Sequence, residues 1–138
     1  MLDRALAEAG LDRRKAYVTN AVKHFKFVPR GKRRIHSKPD GGEIRACRPW
    51  VERELDLIKP DLVVAMGATA VQSLFGKAMP IGANRGRLLD FREAGPQALI
   101  TVHPSYLLRL PDEAAKRAEY VRFVEDLRLA APFFARAA

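Results

Sequence analysis

The sequence predicts an α/β protein, a three-layer αβα sandwich around a central, mostly parallel sheet of about four strands. Three features point there. The run "DLVVAMG", residues 61–67, is continuously apolar, which suits a strand covered on both faces. It passes at once into "ATAVQSLFG", where apolar residues fall at helical spacing and Gly76 supplies the stop. Two further β-prone runs, "GRLLDF" and "ALITV", precede a long helical pattern, and strands that alternate with helices build a wound sheet with helices on both sides. At 138 residues, with 48% apolar and 30% charged side chains, the chain is one domain over 1–138, large enough to bury a core without disulfide or metal staples.

In chain order, "LDRALAEAGL" sets Leu2, Ala5, Leu6 and Ala9 on one helical face and starts without a cap. "AYVTNAV" is a short β-prone run, expected as the first strand. Residues 23–42 are too basic and too rich in Pro and Gly for regular structure, so a loop is expected there. "GEIRACRPWVERELDLIKP" is helical, with Ile44, Cys47, Val51, Leu55 and Ile58 spaced to share a face and Pro60 ending it. After the strand and helix of residues 61–76, "GRLLDF" and "ALITV" supply two more strands, and "HPSYLLR" leaves the last of them to begin a helix. "DEAAKRAEYVRFVEDLRLAA" is the terminal helix, with Asp112 and Glu113 well placed at its positive end.

Charge narrows the partner. A formal net charge of +9 gives the surface a lasting attraction for polyanions, nucleic acid first among them. The N-terminus "MLDRALAEAG" lacks the apolar stretch and cleavage site of a signal peptide, and no apolar run is long enough to span a bilayer. The expectation is a cytoplasmic protein without a membrane partner. One cysteine, Cys47, cannot close an internal disulfide, in keeping with a reducing compartment. No run suggests an apolar interface, so a monomer is expected.

The charge is concentrated. From Lys23 to Lys38 there are seven Lys or Arg residues and no acid, interleaved with Phe25, Phe27 and Ile35. Cations that neutralise phosphates release counterions, and the apolar neighbours can pack on bases or sugars, whereas an ordinary solvated face mixes charge signs. All three histidines, His24, His36 and His103, lie in this loop or at a strand end. A single histidine is more often structural than catalytic; joint placement at these positions favours chemistry. Arg33 and Arg34 beside His36 disfavour imidazolium, and a neutral imidazole is a competent base or nucleophile. In a wound sheet ligands sit beyond the carboxyl ends of the strands, and Asn20, Gly67 and His103 all fall at such ends. "VVAMGATAVQSL" has one glycine where a dinucleotide fingerprint needs three, so Gly67 is read as a tight strand-to-helix turn. Cys47 on its own reads as a small buried hydrophobe.

The segments "YVTNAVKHFKF", "GKRRIH", "ACRPW", "GATA" and "HPSYLLR", in this order and spacing, resemble the uracil-DNA glycosylases of the iron-sulfur type over essentially the whole chain. The pairing of "KRRIH" with "HPS" is the specific part, and it resembles the UdgX branch, whose members become covalently trapped on DNA. The resemblance implies a uracil-DNA glycosylase-like fold and repair of uracil-containing DNA, single-stranded by preference. It implies that Asn20 reads the uracil edge, donating to O4 and accepting from N3–H where cytosine presents the reverse pattern. Each buried polar group left unpaired costs about 1–3 kcal/mol, so two mismatches exclude cytosine. It implies that His103 stabilises negative charge on the departing base at O2, that His36 captures C1′ of the sugar, and that Lys32, Arg33, Arg34, Ser105 and Arg109 bind substrate. The uridine must leave the stack first.

The resemblance also implies a structural 4Fe-4S cluster, with Cys47 at one ligand position and His24 where relatives outside this branch have a cysteine. Those relatives carry an upstream segment with two more cysteines, a "GE-x-PG" motif and an aromatic that stacks on the base. This chain begins in the helix that follows that segment. Either the native reading frame is longer or the chain is a remnant, with two of four ligands and part of the pocket outside these residues. A second expectation follows, a catalytically incomplete DNA-binding module of the same fold.

Overall fold

The computed structural model describes residues 1–21 and 40–134 in full and the backbone of 27–30, 33–36 and 135–136. Helix α1 (Leu2–Glu8) buries Ala5 and Leu6, and a 3₁₀ turn (Arg13–Lys15) follows, where the Asp12 side chain accepts from the Arg14 backbone N–H. Strands β1 (Phe27–Arg30) and β2 (Arg33–His36) form an antiparallel hairpin with Phe27 opposite His36. The basic segment expected as an irregular loop therefore contains a ladder. Phe27, Val28 and Ile35 have high strand propensity.

Helix α2 (Gly41–Ile58) opens with a capping box: the Asp40 side chain accepts from the Glu43 N–H, and the Glu43 side chain accepts from that of Asp40. It ends at Lys59 in a left-handed conformation, just before Pro60. Ile44, Cys47 and Val51 are buried as the spacing predicts, while Ile58, expected on the same face, is exposed at the end of the helix. Strand β3 (Leu62–Met66), helix α3 (Ala68–Phe75), the single-turn α4 (Ile81–Asn84), β4 (Leu88–Asp90), β5 (Gln97–Thr101), α5 (Pro104–Arg109), α6 (Glu113–Arg128) and α7 (Ala131–Arg136) complete the order.

The central sheet has the strand order β3-β5-β4, with β3 parallel and β4 antiparallel to β5. It is thus a mixed sheet of three strands rather than a mostly parallel one of four. Two physical reasons account for the difference. The link 91–96 between β4 and β5 is far shorter than the dozen or so residues a parallel crossover needs, so the pair is antiparallel. The run "AYVTNAV" stays outside any strand over residues 16–20. Tyr17 and Val18 are exposed there, and strand propensity is realised only on a half-buried pleated surface.

Alternation along β5 divides the core between the two faces. Leu99 joins α1, α5 and α6 in one cluster with Leu6, Leu107, Phe123 and Leu127. Ala98 and Ile100 join α2 and α3 in the other with Val51, Val71 and Leu74. Helices cover both faces of a sheet strand that is fully buried, which is the expected αβα layering.

Candidate active site

Because β3 and β5 are parallel and in register from Leu62–Gln97 to Met66–Thr101, both release their chains at the same edge of the sheet. Gly67 follows β3 and His103 follows β5. The Gly67 N–H donates to the Thr101 carbonyl at 2.9 Å, continuing the ladder one step beyond the strands. Gly67 has φ 88° and ψ 169°, a region that side-chain-bearing residues avoid. A Cβ there would lie 2.9 Å from the His103 Cβ. The glycine therefore makes the tight turn into α3 and also leaves the space that the histidine occupies.

His103 caps α5. Its Nδ1 accepts a hydrogen bond from the Ser105 backbone N–H at 3.0 Å, and the Ser105 hydroxyl lies 2.8 Å from the same nitrogen. A backbone N–H can only donate, so Nδ1 carries the lone pair and the ring proton sits on Nε2. Partial burial, and then the positive charge of Arg109, hold the imidazole's pKa below the ordinary 6.5. The result is a neutral ring, exposed to solvent, fixed in one tautomer, with an N–H donor available beyond the strand ends.

Behind the ring, a buried polar network ties β5 to α6. Thr101 donates to Asp126 Oδ2 at 2.8 Å, and Arg85 bridges Asp126 and Glu119. The sequence reading missed it. The available signal was Asp126 itself, a carboxylate spaced with Phe123 and Leu127 on the apolar face of α6.

The family profile described as Uracil DNA glycosylase superfamily matches residues 1–128. The chain belongs to the uracil-DNA glycosylase superfamily. It is 33% identical over 134 residues to the Type-4 uracil-DNA glycosylase of Thermotoga maritima, covering 96% of this chain and 64% of that protein. It is 32% identical over 126 residues to the Type-4 uracil-DNA glycosylase of Pyrobaculum aerophilum, covering 87% and 59%. With the Saccharolobus solfataricus Type-4 uracil-DNA glycosylase the figures are 31% over 108 residues, 74% and 47%. The chain thus spans less than two thirds of the length of these relatives.

The other residues expected in this superfamily member's site are distributed as follows. Ser105 and Arg109 stand with His103 on α5. Asn20 lies off the sheet and is exposed, one residue before Ala21, which packs on the core cluster holding Ala65, Val71 and Ile100. Its expected strand-end position is therefore replaced by a place on a segment without regular secondary structure. Arg33, Arg34 and His36 lie on β2, described by its backbone, while His24 and Lys32 lie outside the described residues. Cys47 is buried on α2, the chain's single cysteine. Among the described residues no group of three or more His, Cys, Asp or Glu side chains could hold a metal. An iron-sulfur cluster takes four thiolate or imidazole ligands, so this donor set does not fit one by itself. No helix among the described residues is long and apolar enough to cross a membrane.

Proposed function

We propose that this protein excises uracil from DNA and, as in the UdgX-like branch, ends covalently attached to the abasic sugar through His36. The single observation that carries the reading is His103: a neutral, tautomer-fixed imidazole whose Nε2–H is offered to solvent beyond the parallel strand ends. A donor aimed at developing negative charge contributes about 3 kcal/mol to a transition state. In the proposed reaction a uridine flipped out of the stack presents its Watson–Crick edge to the Asn20 amide. The C1′–N1 bond breaks with its electron pair going to the base. The Nε2–H of His103 donates to O2 of the uracil anion that forms.

The sugar left behind is an oxocarbenium-like electrophile. A lone pair of the His36 imidazole forms the new N–C1′ bond, and the proton on the other ring nitrogen passes to solvent, leaving a neutral N-alkyl imidazole. Lys32, Arg33 and Arg34 neutralise the flanking phosphates and bring His36 to the sugar, so that proximity replaces a bimolecular encounter. Single-stranded DNA is the preferred substrate because its bases are already free of pairing. A cluster, were one bound, would take Cys47 and His24 among its ligands and would have a structural role; no step of the reaction runs through it.

The test is a denaturing gel of the protein incubated with uracil-containing single-stranded DNA. A band that survives heat and detergent in the wild type and vanishes in His36→Ala, with reversible binding retained, supports capture by His36. Free uracil without that band leaves glycosylase chemistry in place and removes the capture step. The exposure of Asn20 favours a second reading, a DNA-binding module without excision. That reading gains if a complex appears on native gels and neither uracil nor a stable band is formed.

A further inference from the structure

Thr101 ends β5 two residues before His103 and is held on both sides. Its carbonyl accepts the Gly67 N–H at 2.9 Å, and its fully buried hydroxyl donates to Asp126 Oδ2 at 2.8 Å. That carboxylate is itself clamped. Arg85 Nε donates to the same oxygen at 2.9 Å while its Nη1 reaches Glu119 at 2.8 Å, and the Arg85 and Asp126 side chains are 4% and 10% exposed. On its other side, Asp126 Oδ1 fills the space where a Cβ on Gly86 would lie, 2.9 Å away, and the Gly86 N–H donates to the Ile100 carbonyl at 2.8 Å. The network therefore touches β5 at Ile100 and Thr101, the last two residues of the strand.

A buried ion pair is a costly way to hold a helix on a sheet, since well-packed apolar residues of the same volume do so at least as well. What it adds here is direction. The Thr101 hydroxyl has one acceptor, a carboxylate held by a charge-assisted bond from Arg85, which a second such bond ties to Glu119, and this leaves the strand end a single orientation.

We infer that Thr101 and Asp126 are positioning residues for His103: Asp126, clamped by Arg85, fixes the end of β5 from which the imidazole is presented opposite Gly67. The inference deepens the excision reading and rests on it for its kinetic consequence, while its spectroscopic consequence stands alone.

Thr101→Val keeps the branched shape and removes only the donor. It is expected to lower the single-turnover rate constant for uracil release roughly tenfold, with the DNA concentration that gives half the maximal rate within about twofold, because a donor displaced by a fraction of an ångström weakens the transition state more than the ground state. Thr101→Ser, which restores the hydroxyl, is expected to recover the wild-type rate constant. In ¹⁵N spectra of the imidazole, the single Nε2–H tautomer of the wild type is expected to become a mixture in Thr101→Val and to return in Thr101→Ser. A wild-type single-turnover rate constant and wild-type ring signals in Thr101→Val, with only thermal stability lowered, overturn the inference. If Thr101→Val does not fold, the isosteric Asp126→Asn decides by the same two readouts. If the wild type releases no uracil, the excision reading fails, and the ring spectra alone decide the positioning role.

Discussion

Gly67 and His103 meet across the ends of two parallel strands, closely enough that a methyl group on the glycine would lie 2.9 Å from the histidine Cβ. The turn and the histidine are thus one packing unit. Gly67→Ala has to adopt φ 88° with a side chain, which costs about 1–3 kcal/mol, and has to push His103 outward as well. A shift near 1 Å in a catalytic group lowers rate about a hundredfold. Urea titration should therefore show a folded, modestly weakened protein, while single-turnover uracil release falls by roughly two orders of magnitude; unchanged release would remove His103 from the mechanism.

The pH dependence follows from the same ring. Burial and then Arg109 depress the His103 pKa below 6.5. Protonation at Nδ1 breaks its bond from the Ser105 N–H and frees the ring to rotate. The acid limb of the pH profile for single-turnover uracil release should lie below pH 6.5, and Arg109→Ala should move it upward toward 6.5 by removing the second cause. The stability linkage has the same sign. With the folded value depressed, the unfolded chain binds more protons in between, so the contribution is whole above about 6.5 and is lost as pH falls through the folded value. A limb that stays put in Arg109→Ala rules out this electrostatic coupling.

Asp126 offers a stability prediction independent of any activity. Burial opposes the charge of Arg85, and Glu119 and Asp126 outweigh it, keeping the guanidinium protonated. Asp126→Ala leaves Arg85 with Glu119 alone and strips the buried Thr101 hydroxyl of its acceptor. Breaking one side of such a pair costs about 3–5 kcal/mol. Chemical denaturation should show a loss in that range, and the double variant Thr101→Val with Asp126→Ala should lose less than the sum of the singles, because both remove the same bond.

Periodicity made the layers legible. The unbroken apolar run of β3 and the helical spacing in α3 and α6 required a strand buried on both faces, and β5 alternates Leu99 against Ala98 and Ile100 as such a strand must. His103 was legible because "ALITV" ends directly before it. Position along the chain could not show that β4 returns antiparallel, which depends on the short link 91–96, nor that residues 16–20 find no ladder. The Arg85–Asp126 pair joins residues far apart in the chain, and only packing brings them together. Charge composition likewise revealed an excess of cations but not which of them would be neutralised internally, as Arg85 is.

The cations proposed to meet DNA are those of residues 23–38, where no acid is available in sequence to pair with them. If Lys32 and Arg33 each neutralise one phosphate, their replacement by alanine weakens binding to any single strand regardless of sequence. Each also lowers the slope of log affinity against log salt, by about 0.7 per phosphate contact. With the neutral His36 ring that the proposed capture requires, His36→Ala removes no cation and should leave that slope unchanged while abolishing the heat-stable band. Fluorescence anisotropy over a salt series, run beside the denaturing gel, separates the two roles. A slope that falls equally in His36→Ala would assign the histidine to phosphate contact and take the nucleophile's role from it.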